Sequence, residues 1–325
     1  MPSESPRILL TGAGFTHNFG TPSAEEMWSH IFNHPEVQRH TRIRNLLLKD
    51  FDFESVYGHV TYGDYPEPEK VAIEHAVRCA FDGIDRNIMT VPQGLSGDIS
   101  FVDELLARFA AHHWNGFFFT LNQDLFVERW YKQQSRKAFR LAGLPDRFAR
   151  FHPEKELSDS DYCQLPTSQE LEEHKRASLE GGFSLYVKLH GSHNWVDSSG
   201  KQKMVIGGRK AQQIQQEPLL RWYWELFHDV LQRPGARMLV IGYGFRDEHV
   251  NSALGVGVEH GLRMWVVSPK GARDFVIDLR GAHDGETIMR GLSGYFPCAL
   301  RDMSPPLAGD TQALRSLYEC VFGNR

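Results

Sequence analysis

Four cysteines stand among 325 residues, Cys79, Cys163, Cys298 and Cys320, and no two of them form a Cys-x-x-Cys pair. That absence excludes a disulfide framework and a four-cysteine zinc site, and leaves the four as buried small hydrophobes. Long apolar runs are missing as well, and the opening Met1-Pro2-Ser3-Glu4-Ser5-Pro6 lacks the apolar core of a signal peptide. A cytoplasmic chain with no membrane partner is the expectation. Nor is there an excess of positive charge: 36 Lys and Arg against 41 Asp and Glu leave a net charge of −5, with the basic residues scattered. No intrinsic nucleic-acid binding is expected from that balance. The sequence also lacks internal repeats and low-complexity tracts. What it has is core material, 41% hydrophobic residues, enough for one large domain of enzyme size spanning 1–325.

Near the start, Ile8-Leu9-Leu10 breaks into Thr11-Gly12-Ala13-Gly14 and then Phe15-Thr16-His17. Glycines there permit a tight turn and close approach of a ligand, and the following N–H groups can point at a pyrophosphate; an ordinary strand-to-loop turn uses the same residues. A dehydrogenase unit would supply its second strand within about thirty residues. Here the next strand-like run is Gly116-Phe117-Phe118-Phe119-Thr120-Leu121, and Ala24 to Phe32, Val37 to Lys49, Glu67 to Ile88 and Ile99 to His113 read as helices. A helical insertion over 22–113 is therefore expected, and a small polar excursion over 135–180. Asn122-Gln123-Asp124 follows the second strand, and His190-Gly191-Ser192-His193-Asn194-Trp195 follows a third at 183–189. Pro218 to Leu231 reads as an aromatic helix, Arg237 to Ile241 as a strand ending in Gly242-Tyr243-Gly244, and Met264 to Val267 as the last clear strand, ending at Ser268. Polar residues at the carboxyl ends of strands are where open α/β sheets bind ligands.

The ordered set Gly12-Ala13-Gly14, Thr120-Leu121-Asn122-Gln123-Asp124, Leu189-His190-Gly191 and Gly242-Tyr243-Gly244-Phe245 resembles the nucleotide-binding core of the sirtuin family. The resemblance implies an α/β fold, a doubly wound, Rossmann-like parallel sheet of sirtuin type, that binds NAD as substrate. It implies Asn122 and His190 as the catalytic pair, and Gly12, Ala13, Gly14, Thr16, Asp124, Gly242, Tyr243 and Ser268 as residues that hold the dinucleotide. The paired cysteines of the deacylases' zinc module are absent, so no zinc module and no metal are expected. The deacylases' Gly-Ile-Pro-Asp-Phe-Arg-like stretch is replaced by Gly20-Thr21-Pro22-Ser23-Ala24, and Val205-Ile206-Gly207-Gly208-Arg209 stands where an acyl-lysine clamp would be. With Gly242 to Asn251, this pattern is similar to the zinc-free sirtuin-like domains of bacterial antiphage systems. Those imply an effector that hydrolyses NAD, forms a homo-oligomer and works with a HerA-like hexameric ATPase.

Cleaving the nicotinamide–ribose bond develops an oxocarbenium-like centre, and nicotinamide leaves without protonation. An amide such as Asn122 can order the ribose hydroxyls or water, and an imidazole such as His190 can take a proton if its pKa lies near neutrality. Simpler roles compete. Asn122 and Asp124 fit the cap of a helix from Leu125 to Gln134, Asp247 fits the cap of a helix to His260 with His249 and Asn251 on its first turns, and Trp195, Trp222, Tyr223 and Trp224 fit packing. A noncatalytic module that senses NAD or ADP-ribose, and a zinc-free deacylase or ADP-ribosyltransferase, are the alternative functions.

Overall fold

Adjacent residues of a buried strand face opposite sides of its sheet, and the triple phenylalanine at 117–119 exploits this to pin helices on both sides. In the computed structural model, which describes residues 5–89, 96–110, 116–130, 139–144, 157–158, 161–180, 184–305 and 310–323, all three rings are buried. The chain begins with β1 (Arg7–Thr11) and the one-turn α1 (Ala13–His17). A run of helices follows: α2 (Ala24–Phe32), α3 (Pro35–Arg39), α4 (Thr41–Leu47), α5 (Phe53–Tyr62), α6 (Glu67–Met89) and α7 (Ser96–Ala110). Next come β2 (Gly116–Thr120), α8 (Phe126–Trp130), β3 (Phe139–Leu141), β4 (Cys163–Gln164), α9 (Ser168–Glu180), β5 (Ser184–Lys188), β6 (Gly191–Val196) and β7 (Gln202–Met204). The chain then runs through α10 (Lys210–Gln216), α11 (Pro218–Leu231), β8 (Arg237–Ile241), α12 (Glu248–Glu259) and β9 (Arg263–Val267). Last are α13 (Ala272–Gly281), α14 (Gly285–Gly291), β10 (Leu292–Phe296) and α15 (Gln312–Phe322).

Seven strands form one sheet in the order β10-β9-β8-β1-β2-β5-β3, with every pairing parallel. Phe118 meets Phe15 of α1 on one face, ring centroids 6.4 Å apart, while Phe119 meets Phe227 of α11 on the other at 4.8 Å. Helices thus cover both faces, as the doubly wound class requires. The chain leaves β1 toward β2 on one side and leaves β8 toward β9 on the other, so the connections diverge between β1 and β8. A crevice at the carboxyl ends is the geometric result. A second, three-stranded sheet, β4-β6-β7, lies beside the main one.

Local chemistry sets several boundaries. Ser23 and Glu26 form a reciprocal capping box at the start of α2, and Pro218 stands in the first turn of α11. The helix expected over Val37 to Lys49 is broken into α3 and α4 at His40, whose backbone is extended. The short strands β3, β4 and β7 were not expected from the sequence, and two longer ones, β10 and β6, were missed for a shared reason. β10 is a half-buried edge strand of mixed polarity, and Gly191–Val196, expected as a polar loop, is the middle strand of the small sheet. Neither offers the continuous apolar run of a central strand. Residues 135–138, 145–156 and 159–160 of the expected excursion lie outside the described residues, as do His113 and the end of the helix expected to Gln134; within 135–180 β3, β4 and α9 are described.

Two buried ion pairs join the helical run to the sheet. Arg129 of α8 grips Asp85 of α6 with Nε and Nη2, at 2.7 and 2.5 Å, and Lys188 of β5 lies 2.7 Å from Glu128 of α8. Truncating one partner of a buried ion pair is strongly destabilising. Asp85→Ala is therefore expected to lower the unfolding free energy by about 3–5 kcal/mol, read from the urea midpoint. A change below about 1 kcal/mol would place the pair in the inexpensive, solvent-screened class.

Candidate active site

Parallel register brings the expected residues into one row. Thr11, Thr120 and Ile241 end their strands side by side, and the ladder continues one step beyond, with Leu121 N–H donating to Thr11 O, Leu189 N–H to Thr120 O and Gly12 N–H to Ile241 O. Across the sheet the polar ends therefore read Ser268 (β9), Gly242 (β8), Gly12 (β1), Asn122 (β2) and His190 (β5).

The glycines at β1 and β8 serve each other. A Cβ on Gly14 would lie 2.8 Å from Gly242 Cα, and one on Gly242, whose φ is +66°, would lie 2.2 Å from Phe15 N. Gly14 N–H donates to Gly242 O, and Phe15 N–H to Gly12 O. These amides, expected to face a pyrophosphate, are committed to the crossing of the two loops, with Ala13 exposed at its tip. Tyr243 is buried, and its hydroxyl donates to Asn251 Oδ1, whose amide in turn donates to Phe245 O and steadies a positive φ of 56° at Phe245. Ser268, half-buried, accepts from Lys270 N–H in a turn.

At the end of β2 the residues expected to bind and react are linked to one another. Asn122 Nδ2 donates to Thr16 Oγ1 at 3.2 Å, and Thr16 Oγ1 donates to Asp124 Oδ2 at 2.9 Å. Asp124 Oδ1 accepts Phe126 N–H at 3.0 Å, so this carboxylate also caps α8. Burial raises the Asp124 carboxyl above its ordinary value, against the pull of Lys188. Lys188 Nζ donates to Asp124 O, and Gln123 Nε2 to Val205 O at 2.8 Å, which ties the loop to the segment after β7.

His190 is 3% exposed, and its Nε2 lies 3.0 Å from His249 Nε2. Burial depresses both rings, His190 to about 3 and His249 to about 4, so the imidazole expected near neutrality is instead a neutral, weak base in this closed arrangement. Asp247, expected as a helix cap, makes no side-chain cap bond to α12. Its carboxylate accepts from Lys210 Nζ at 2.6 Å, and Lys210 bridges to Glu54 of α5 at 2.7 Å. Burial works against the Asp247 charge, but His190, Lys210 and His249 hold its carboxyl below the ordinary value. Donor atoms of His190, Asp247 and His249 lie within 4.8 Å of one another, a set able to hold a divalent ion, although the adjacent Lys210 ammonium opposes one. Sequence reasoning placed Asp247 and His249 beside a strand end without joining them to His190. Lys210 and Glu54 carried no signal, because long stretches of chain separate them from the strand ends. α5 reaches the site through Gly58, where a Cβ would stand 2.3 Å from Gly208 N. A cavity of about 370 Å³ lies elsewhere, lined by Glu36, Tyr57, His75, Arg78 and Met204 among others, and none of the strand-end residues borders it.

The depressed histidines have a consequence for stability. Above the usual pKa of 6.5 the ring is neutral in both the folded and the unfolded chain. As pH falls from there toward about 4 and 3, the unfolded chain takes up protons that the folded pair refuses. Stability should therefore decline with falling pH across that window, and His249→Gln should flatten the decline in denaturant midpoints; an identical slope in the variant would show that the pair does not titrate this way.

The family model described as SIR2-like domain matches residues 116–261. Among solved structures, an ADP-ribose complex of a Sir2 homologue variant aligns with 12% identity over 99% of this chain and 96% of that one, at a TM-score of 0.46. A Sir2 homolog–NAD complex aligns with 11% identity over 98% and 92%, at the same score. No curated protein matches the chain. The matched span, less than half of the chain, holds Asn122, Asp124, His190, Gly242, Asp247 and His249.

Proposed function

We propose that the chain is an NAD glycohydrolase that releases nicotinamide and ADP-ribose, with Asn122 and His190 as its catalytic pair. The observation that carries this reading is their position on the adjacent strands β2 and β5, beside the β1–β8 divergence and within the SIR2-like span. The five strand ends from Ser268 to His190 cover four strand spacings, about 19 Å at about 4.8 Å each, a length suited to an extended dinucleotide. In this reading Gly12, Ala13, Gly14, Thr16 and Asp124 border the phosphates and the ribose, and Gly242, Tyr243 and Ser268 border the adenosine half. The bond between the ribose anomeric carbon and nicotinamide breaks with its electron pair leaving on nicotinamide. Water then bonds to that carbon and gives its proton to the His190 imidazole, while the Asn122 amide orders a ribose hydroxyl or the water.

His190 Nε2 is held by His249 and almost fully buried, so turnover requires this pair to part and the cover over the strand ends to open. That need fits an effector kept in check until an infection signal or assembly with a HerA-like ATPase releases it, and fits NAD depletion as its output in antiphage defence.

Chromatography of NAD reactions, with the chain alone and with a HerA-like ATPase, tests the proposal. Nicotinamide and ADP-ribose should appear together, and Asn122→Ala and His190→Ala should each cut the rate by about 10²–10⁴-fold. Unchanged rates in both variants would remove the site assignment. Bound NAD without nicotinamide release would make the chain a sensor, and acyl transfer or modified protein would make it a deacylase or transferase.

A further inference from the structure

In the helical run, three side chains able to bind a metal meet. His34 stands just before Pro35 at the start of α3, and His75 and Cys79 lie one turn apart on α6 and so share a face. One donor atom from each lies within 4.8 Å of the others. The two imidazoles meet edge to face, centroids 5.2 Å apart at 78°. His75 Nδ1 lies 2.9 Å from Glu36 Oε2, the carboxylate–imidazole arrangement that fixes the tautomer of a metal-bound histidine and turns its other nitrogen outward. His34 Nδ1 is buried and has no hydrogen-bond partner among the described residues, and the Cys79 thiol is free. A buried ring nitrogen left without a partner is costly unless something fills the place.

We propose that His34, His75 and Cys79 bind a zinc ion, with Glu36 orienting His75 from behind. Two imidazoles and one thiolate form a borderline-soft donor set that favours zinc over calcium or magnesium. Zn–N near 2.0–2.1 Å and Zn–S near 2.3 Å ask for donors about 3.3–3.6 Å apart in a tetrahedron, within reach of small side-chain rotations from the observed spacing. His75 and Glu36 also line the 370 Å³ cavity, which gives the ion an entry path and its fourth position a water. Binding releases the thiol proton, and the ion ties the α2–α3 turn to α6. The cluster revises the reading of Cys79 as a plain core residue. The His75-x-x-x-Cys79 spacing is its trace in the sequence, and His34 joins it only through the packing of α3 on α6.

Cobalt(II) and zinc(II) titrations of the whole chain test the site. Cobalt should produce a thiolate charge-transfer band that zinc abolishes at one equivalent. Cys79→Ser should lose the band, His249→Ala, in the other histidine cluster, should keep it, and Glu36→Gln should weaken affinity about 10–100-fold. Zinc-edge absorption on the unaltered chain should find one sulfur and two imidazoles, a reading that needs no variant to fold. No thiolate band at saturating cobalt, a band retained in Cys79→Ser, or a zinc shell without sulfur would overturn the assignment. None of these outcomes depends on turnover of NAD.

Discussion

The Lys188 ammonium has no access to water, and the arrangement of the strand ends follows from how it is satisfied. A buried charge must be paired and its protons accepted. Glu128 takes one, at 2.7 Å, and the carbonyl of Asp124 takes another at 2.5 Å. Those two acceptors come from α8 and from the loop that leads into it, so a single side chain on β5 holds the loop after β2 against its neighbour. Asn122, Gln123 and Asp124 then have fixed directions. Asn122 reaches Thr16 across to β1's turn, Gln123 reaches the backbone after β7, and Asp124 caps the helix.

On the other side of β1 the constraint is steric. Gly14 and Gly242 approach so closely that neither tolerates a Cβ, and their amide–carbonyl bond closes the point where the connections diverge. The glycine turn is thus first a device for joining two loops, and any ligand role it has is built on that joint. The charged array Glu54–Lys210–Asp247 beside the His190–His249 pair adds a lid of opposite logic. It brings an element from the helical run to the strand ends, where His190 is buried and His249 half-buried. Burial is also what depresses the pKa of both rings.

Much of the sheet was legible. Phe117 to Phe119 and Met238 to Ile241 are unbroken apolar runs, and the helices at Ala24–Phe32 and Pro218–Leu231 carry their own start signals, so local pattern and tertiary role agree. Of the candidate site, the residues one step beyond a central strand were legible because strand ends are marked by an abrupt change from apolar to polar. Asp247 misled for the same local reason: a carboxylate before a helix reads as a cap, and only the Lys210 ammonium, distant in sequence, draws it away. The edge strand β10 and the small-sheet strand β6 were hidden because neither is a continuous apolar run.

By itself the sequence determined the run of buried parallel strands, the helical stretch between the first two, and the polar residues that terminate each strand, since these depend on periodicity and on local turn chemistry. Tertiary structure alone decided strand order, and with it which strand ends are neighbours. It also decided the state of the groups brought together, including a histidine held neutral by burial, a glycine turn spent on a second glycine turn, and a cysteine set beside two imidazoles. Burial, charge pairing and close approach are properties of residues far apart in the chain, and no local pattern encodes them.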